Sequence, residues 1–139
     1  MNEALLRQLA DQRLDDARVL LAAGHWSAAY YLAGYAVECA LKVCVLKHVL
    51  NTGVIFTDRK FVEKCWTHNI DDLVKAAGLE VERGLEMAAN PARESNWVTV
   101  RRWSEVARYN LTTRTDAEEL YNAIADPTNG VLPWIKSRW

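Results

Sequence analysis

The sequence predicts an all-α fold in one domain spanning residues 1–139, and three observations carry that expectation. The chain's 19 Ala and 16 Leu make up a quarter of its 139 residues, and both residue types favour helix. Only six Gly and three Pro are available for turns, too few for a protein built of many short strands. Apolar side chains recur at three- and four-residue spacings over most of the chain, the period of one face of a helix.

A first helix is expected from about Asn2 to Ala22, with Leu6, Leu9, Ala10, Ala17, Leu20 and Leu21 on one face and Arg7, Asp11, Asp15 and Arg18 elsewhere. Gly24 stops it, and Ser27 is positioned to cap a second helix running to about Leu50. In that helix Ala29, Ala33, Ala36 and Ala40 form a small-residue stripe beside Tyr30, Gly34, Val37 and Leu41. Because it is apolar nearly all round, it must be covered on several sides, by its own fold or by a second subunit. Residues 51–67 lose the period and read as a loop carrying at most one short helical turn. A helix over Ile70–Ala77, capped by His68-Asn69 and closed by Gly78, precedes a short one over Leu79–Ala89, which Asn90-Pro91 breaks. Val100, Trp103, Val106 and Ala107 suggest a helix over Ser95–Tyr109. A last helix runs from near Thr115 to Ala125, Asp126-Pro127 bends or restarts it, and Trp134, Ile135 and Trp139 anchor the tail.

Seventeen basic against eighteen acidic residues give a net charge of −1, so no global charge selects a partner. Charged residues interrupt the N-terminal leucines, so no signal-peptide core is evident. The apolar stretch Trp26–Leu50 is long enough for a bilayer, but Glu38 and Lys42 near its middle favour a buried core helix. Three cysteines, Cys39, Cys44 and Cys65, form no CxxC and cannot all pair, which suits reduced thiols in a cytoplasmic setting. Cys65 and His68 have the spacing of half a metal site with no second half, so neither metal nor cofactor is expected. The sequence has no Gly-rich phosphate loop and no serine or cysteine nucleophile signature.

Two constellations remain. Arg93–Arg114 carries five arginines against Glu94 and Glu105. On a continuous helix Arg101 and Arg108 would share a face with Glu105 between them, Arg102 would lie beside Trp103, and Arg108 beside Tyr109. Guanidinium forks bind phosphate and aromatic faces stack on bases, so Arg101, Arg102, Arg108 and Tyr109 are the candidate nucleotide or RNA-binding residues. The competing reading is a solvated ion-paired face with Trp103 in the core. Glu38 and Lys42, at i and i+4 in an apolar helix, read as a buried or interface ion pair.

The run Gly24-His25-Trp26-Ser27-Ala28-Ala29-Tyr30-Tyr31, then Ala33-Gly34-Tyr35-Ala36-Val37-Glu38-Cys39-Ala40-Leu41-Lys42, resembles the first helix pair of HEPN domains. Thr67-His68-Asn69-Ile70-Asp71-Asp72-Leu73, the Trp103–Tyr109 segment and Gly130-Val131-Leu132-Pro133-Trp134-Ile135 extend the resemblance over almost the whole chain. It implies an up-and-down bundle of four to five helices, usually a homodimer, often encoded beside a nucleotidyltransferase or within a toxin–antitoxin pair.

Many HEPN proteins are metal-independent RNases with an Arg-x4-6-His motif on a late helix, where histidine assists attack of the ribose 2′-OH and arginine steadies the developing charge. Here Arg108 is the positional match, but Thr113, Arg114 and Thr115 stand where the histidine would be, and no His follows His68. Arg18 and His25 satisfy the spacing at the wrong place, the junction of the first two helices. The resemblance therefore implies a non-catalytic, dimeric module binding nucleotide or RNA, with a nucleotidyltransferase as the partner it suggests. The alternatives are a ribonuclease toxin with an unusual site and a purely structural partner subunit.

Overall fold

The computed structural model describes residues 2–53 and 59–139, and the described residues form eight α-helices and one 3-10 helix, with no strand among them. Helix α2 (Trp26–Thr52) is the axis, and α1 (Glu3–Ala22) packs along it more extensively than any other element. Helices α4 (Ile70–Ala76), α7 (Arg114–Ala125) and α8 (Val131–Lys136) and the 3-10 helix Glu105–Tyr109 close its other sides. Helices α3 (Arg59–Cys65), α5 (Glu80–Ala89) and α6 (Pro91–Arg101) lie outside this inner layer. Eight short and long helices replace the four or five expected, because Gly78, Asn90 and the 126–130 turn each end a segment that a simpler bundle would continue.

The small-residue stripe of α2 is where the sequence places it: Ala29, Ala33, Ala36 and Ala40 are all at most 1% exposed, as are Val37 and Leu41. Without bulky side chains there, neighbouring helices approach closely. The helix is long and apolar enough to cross a membrane by composition, yet 67% of its most apolar window is buried within this bundle. Its apolar circumference is thus largely covered by its own chain.

Local chemistry sets the ends. Asn2 caps α1 by accepting from Leu5 N at 2.8 Å, and Gly24, at φ +80°, makes the left-handed step that L side chains resist. The expected cap of α2 is corrected: His25 occupies the N-cap position without a side-chain bond, and Ser27 lies inside the helix. Ser27 Oγ instead accepts from Thr112 N at 2.8 Å, because the returning chain offers it a donor. Asn69 Oδ1 caps α4, accepting from Asp72 N at 3.0 Å, so His68 is released from the capping role expected of it. The expected loop over residues 51–67 holds the seven-residue helix α3, more than the single turn anticipated; residues 54–58 of that expectation lie outside the described residues.

The largest correction concerns the helix expected over Ser95–Tyr109. Helix α6 starts earlier, at Pro91 behind the Asn90 cap, and ends at Arg101; Ser104 is extended and a 3-10 helix follows. The buried stripe Arg93, Trp97, Val100 would continue at position 104, where a serine offers nothing to bury. Breaking the helix lets Trp103, 3% exposed, turn inward onto α2. Arg101 and Arg108 consequently do not share a helical face.

Candidate nucleic-acid interface

The five arginines of 93–114 separate into structural and exposed sets. Arg93, 8% exposed, donates to Thr128 O at 2.7 Å and Asn129 O at 3.1 Å and pairs with Glu86 at 3.2 Å, pinning the α5–α6 corner to the 126–130 turn. Arg101 turns toward α4, where its Nε reaches Asp71 Oδ2 at 3.0 Å. Asp71 also accepts from Arg83 at 2.6 Å. Burial pushes the Asp71 carboxyl upward, but the hydrogen bonds from Arg83 and Arg101 and their charges outweigh it and hold it below its ordinary value.

Arg102 and Arg114 lie near residues at the start of α2, Tyr30 and Trp26, and Arg108 stands in the 3-10 helix between them in sequence. The Arg102 charge acts on the Tyr30 phenol of α2; burial and Asp116 nevertheless raise that phenol, Arg102 opposing them. Arg108 lies over the Tyr109 ring at 5.0 Å, and Tyr109 is 77% exposed. Leu111 and Val106 flank this pair and are also exposed. Two anchors hold the segment. Trp103 presses on Gly34, where a Cβ would lie 2.3 Å from the indole, and Thr112 N binds Ser27. The Trp103 side chain is therefore core, as its competing reading had it.

The Thr112–Ser27 bond brings a sequence-distant group beside this loop. Arg114, at the start of α7, lies over the Trp26 ring at 5.5 Å and pairs with Glu118 at 2.7 Å. Trp26, Arg114, Glu118 and Asn122, with Leu21–Gly24, line an open groove of about 650 Å³. His25 is exposed at the same corner. Spacing could not reveal Trp26 and Asn122 as neighbours of the arginine segment, since they meet it only through tertiary packing.

A second cluster lies further along α2. Glu38, 2% exposed, accepts on Oε1 from Lys42 Nζ at 2.8 Å, and His68 Nδ1 lies 2.9 Å from the same oxygen. Among the described residues Oε2 has no hydrogen-bond partner. The ion pair was legible from the i, i+4 spacing; His68, thirty residues away, was not. Lys42, Cys65 and Trp66 also border an apolar cavity of about 330 Å³ between α1, α2 and α3. Burial raises the Cys39 and Cys44 thiols to about 11, so both are inert at neutral pH. Among the described residues no three His, Cys, Asp or Glu side chains gather in a way that could hold a metal ion.

Comparison of the chain with protein-family models, curated proteins and solved structures finds no match.

Proposed function

We propose that the chain is a HEPN-like helical module that binds single-stranded RNA or nucleotides without catalysis, using Arg102, Arg108 and Tyr109, while Arg101, bonded to Asp71 on α4, stands apart from them. The observation that carries this reading is the Arg108–Tyr109 pair, an exposed ring with a guanidinium at 5.0 Å on a loop fastened at both ends. Exposed aromatics beside arginine are the stacking platforms of single-strand binders. Net charge contributes less, because Arg102, Arg108 and Arg114 share their segments with Glu105, Asp116 and Glu118. Binding then rests on stacking, and its salt dependence is that of one or two phosphates, a slope of roughly −0.7 each.

The test is anisotropy of a labelled single-stranded RNA. Tyr109→Ala and Arg108→Ala should each weaken binding about five-fold or more, and Arg101→Ala, whose guanidinium is committed to Asp71, should weaken it least. Affinity unchanged in the Tyr109 and Arg108 variants would remove the reading. The same proposal includes a homodimer and a nucleotidyltransferase partner, as the HEPN resemblance implies.

A second reading, a metal-independent ribonuclease, draws support from the exposed His25, two residues from Ser27 and so beside the arginine loop. RNA cleavage in EDTA that His25→Ala abolishes would establish it, and absence of cleavage across varied single strands would remove it.

A further inference from the structure

The groove at the α1–α2 corner has the makings of a base-recognition site. Its wall is an indole, Trp26, with the Arg114 guanidinium at 5.5 Å over the ring. Its α7 side carries Glu118 and Asn122, one helical turn apart, and its α1 side is Leu21, Ala22, Ala23 and Gly24. The backbone at Gly24 is left-handed, so the glycine makes the corner, and it lies against the edge of the Trp26 ring. The volume, about 650 Å³, lies in the range of small-molecule sites. Glu118 Oε1 accepts from Arg114 Nε at 2.7 Å, and both side chains stay open to solvent.

The groove and the Arg108–Tyr109 platform are close. Tyr109 precedes Thr112 by three residues, at most about 11 Å of extended chain, and Thr112 N is 2.8 Å from Ser27, the residue after Trp26. Two rings, each with its own guanidinium, thus stand either side of one hydrogen bond, a separation a strand of a few nucleotides spans at about 3.4 Å per stacked base.

We infer that the Trp26–Arg114–Glu118–Asn122 groove is a nucleobase subsite that, together with the Tyr109 platform, receives a second base of the same single strand. This rests on the RNA-binding reading and adds to it a site, a minimum ligand length and a base preference. A base stacks on Trp26, the Asn122 amide pairs with its edge, and the Glu118 carboxylate accepts from an exocyclic amino group. Adenine and cytosine carry that amino group and uracil does not, so the subsite selects against uridine.

The experiment measures anisotropy with labelled A4, C4 and U4 oligoribonucleotides and competition by AMP, using the full chain, with circular dichroism to verify that each variant is folded. Expected are tighter binding of A4 and C4 than of U4, weak competition by AMP, and a loss of about five-fold or more for Trp26→Ala and Asn122→Ala. Glu118→Gln, whose amide also donates to uracil O4, should narrow the gap between A4 and U4. Because Trp26 is partly buried, the exposed Asn122 and the conservative Glu118 variant keep the test decisive if Trp26→Ala fails to fold. Unchanged affinity and base preference in the Asn122 and Glu118 variants, while Tyr109→Ala still weakens binding, would overturn the subsite and leave the platform standing. Loss in the groove variants with Tyr109→Ala and Arg108→Ala unaffected would leave the subsite and remove the platform. No binding of any of the three strands would overturn both.

Discussion

At the scale of single residues, Gly34 decides how the second half of the chain closes on the first. A Cβ there would stand 2.3 Å from three atoms of the Trp103 indole, and that indole is itself 3% exposed. Gly34→Ala should therefore destabilise the fold by about 1–3 kcal/mol despite the better helix propensity of alanine, because an overpacked core shifts rings off their rotamers. A rise in the urea midpoint of this variant would contradict that packing. The cysteines give a second check. Cys39 and Cys44 are buried with thiols raised to about 11, whereas Cys65 is part-exposed and raised less. Iodoacetamide at neutral pH should modify Cys65 first and spare the other two until the protein unfolds, as peptide mapping would read. Folded Cys39 and Cys44 thiols stay protonated where unfolded ones, at 9.0, ionise. Their contribution to stability is full below pH 9 and falls as pH rises toward 11.

At the scale of elements, the ion-pair network around Asp71 ties together three short helices, of which α5 buries little on its own. Helix α5 buries only Arg83, which lies over Trp97 at 5.0 Å and bonds Asp71 on α4, while Arg101 reaches the same carboxylate from the end of α6. The Asp71 carboxyl titrates below its ordinary 3.8 in the folded state, so its stabilisation is present above that value and disappears as pH falls through the lowered one. Asp71→Asn should lower the urea midpoint at pH 7 and flatten its acid limb between about pH 5 and 2; an acid limb identical to that of the parent would refute the role. These helices also mark the limit of what the sequence discloses. Long elements with a strong period, α1, α2 and α7, were readable to within one or two residues, and so were ends built on local chemistry, such as Gly24 and Asn69. The break after Arg101 was not, because what ends α6 is the demand of Trp103 for a gap on α2, and that gap exists only when Gly34 is already packed. The candidate site shared this fate. Arg108 and Tyr109 are chain neighbours and could be paired by inspection, whereas Trp26, Arg114 and Asn122 meet only in the folded state.

At the scale of the whole molecule, one stripe of uncovered apolar surface lies on the outer layer. Val81 and Leu85, one turn apart on α5, are 75% and 68% exposed, and nothing approaches the position a Cβ would take at Gly84. With α2 wrapped by its own chain, this stripe is the natural seam for the proposed homodimer. Light scattering at micromolar concentration should report a dimer, and Val81→Glu with Leu85→Glu should yield a folded monomer; a dimer that survives both charges would place the seam elsewhere. Residues 104–112 are anchored at both ends. Trp103 and Thr112 secure the chain at either border, so the intervening tip is mounted on the bundle like an interchangeable tool head. Within that tip Ala107 belongs to the core, so only its outward positions, Val106, Arg108, Tyr109 and Leu111, can be rewritten without renegotiating the packing that lets the molecule fold.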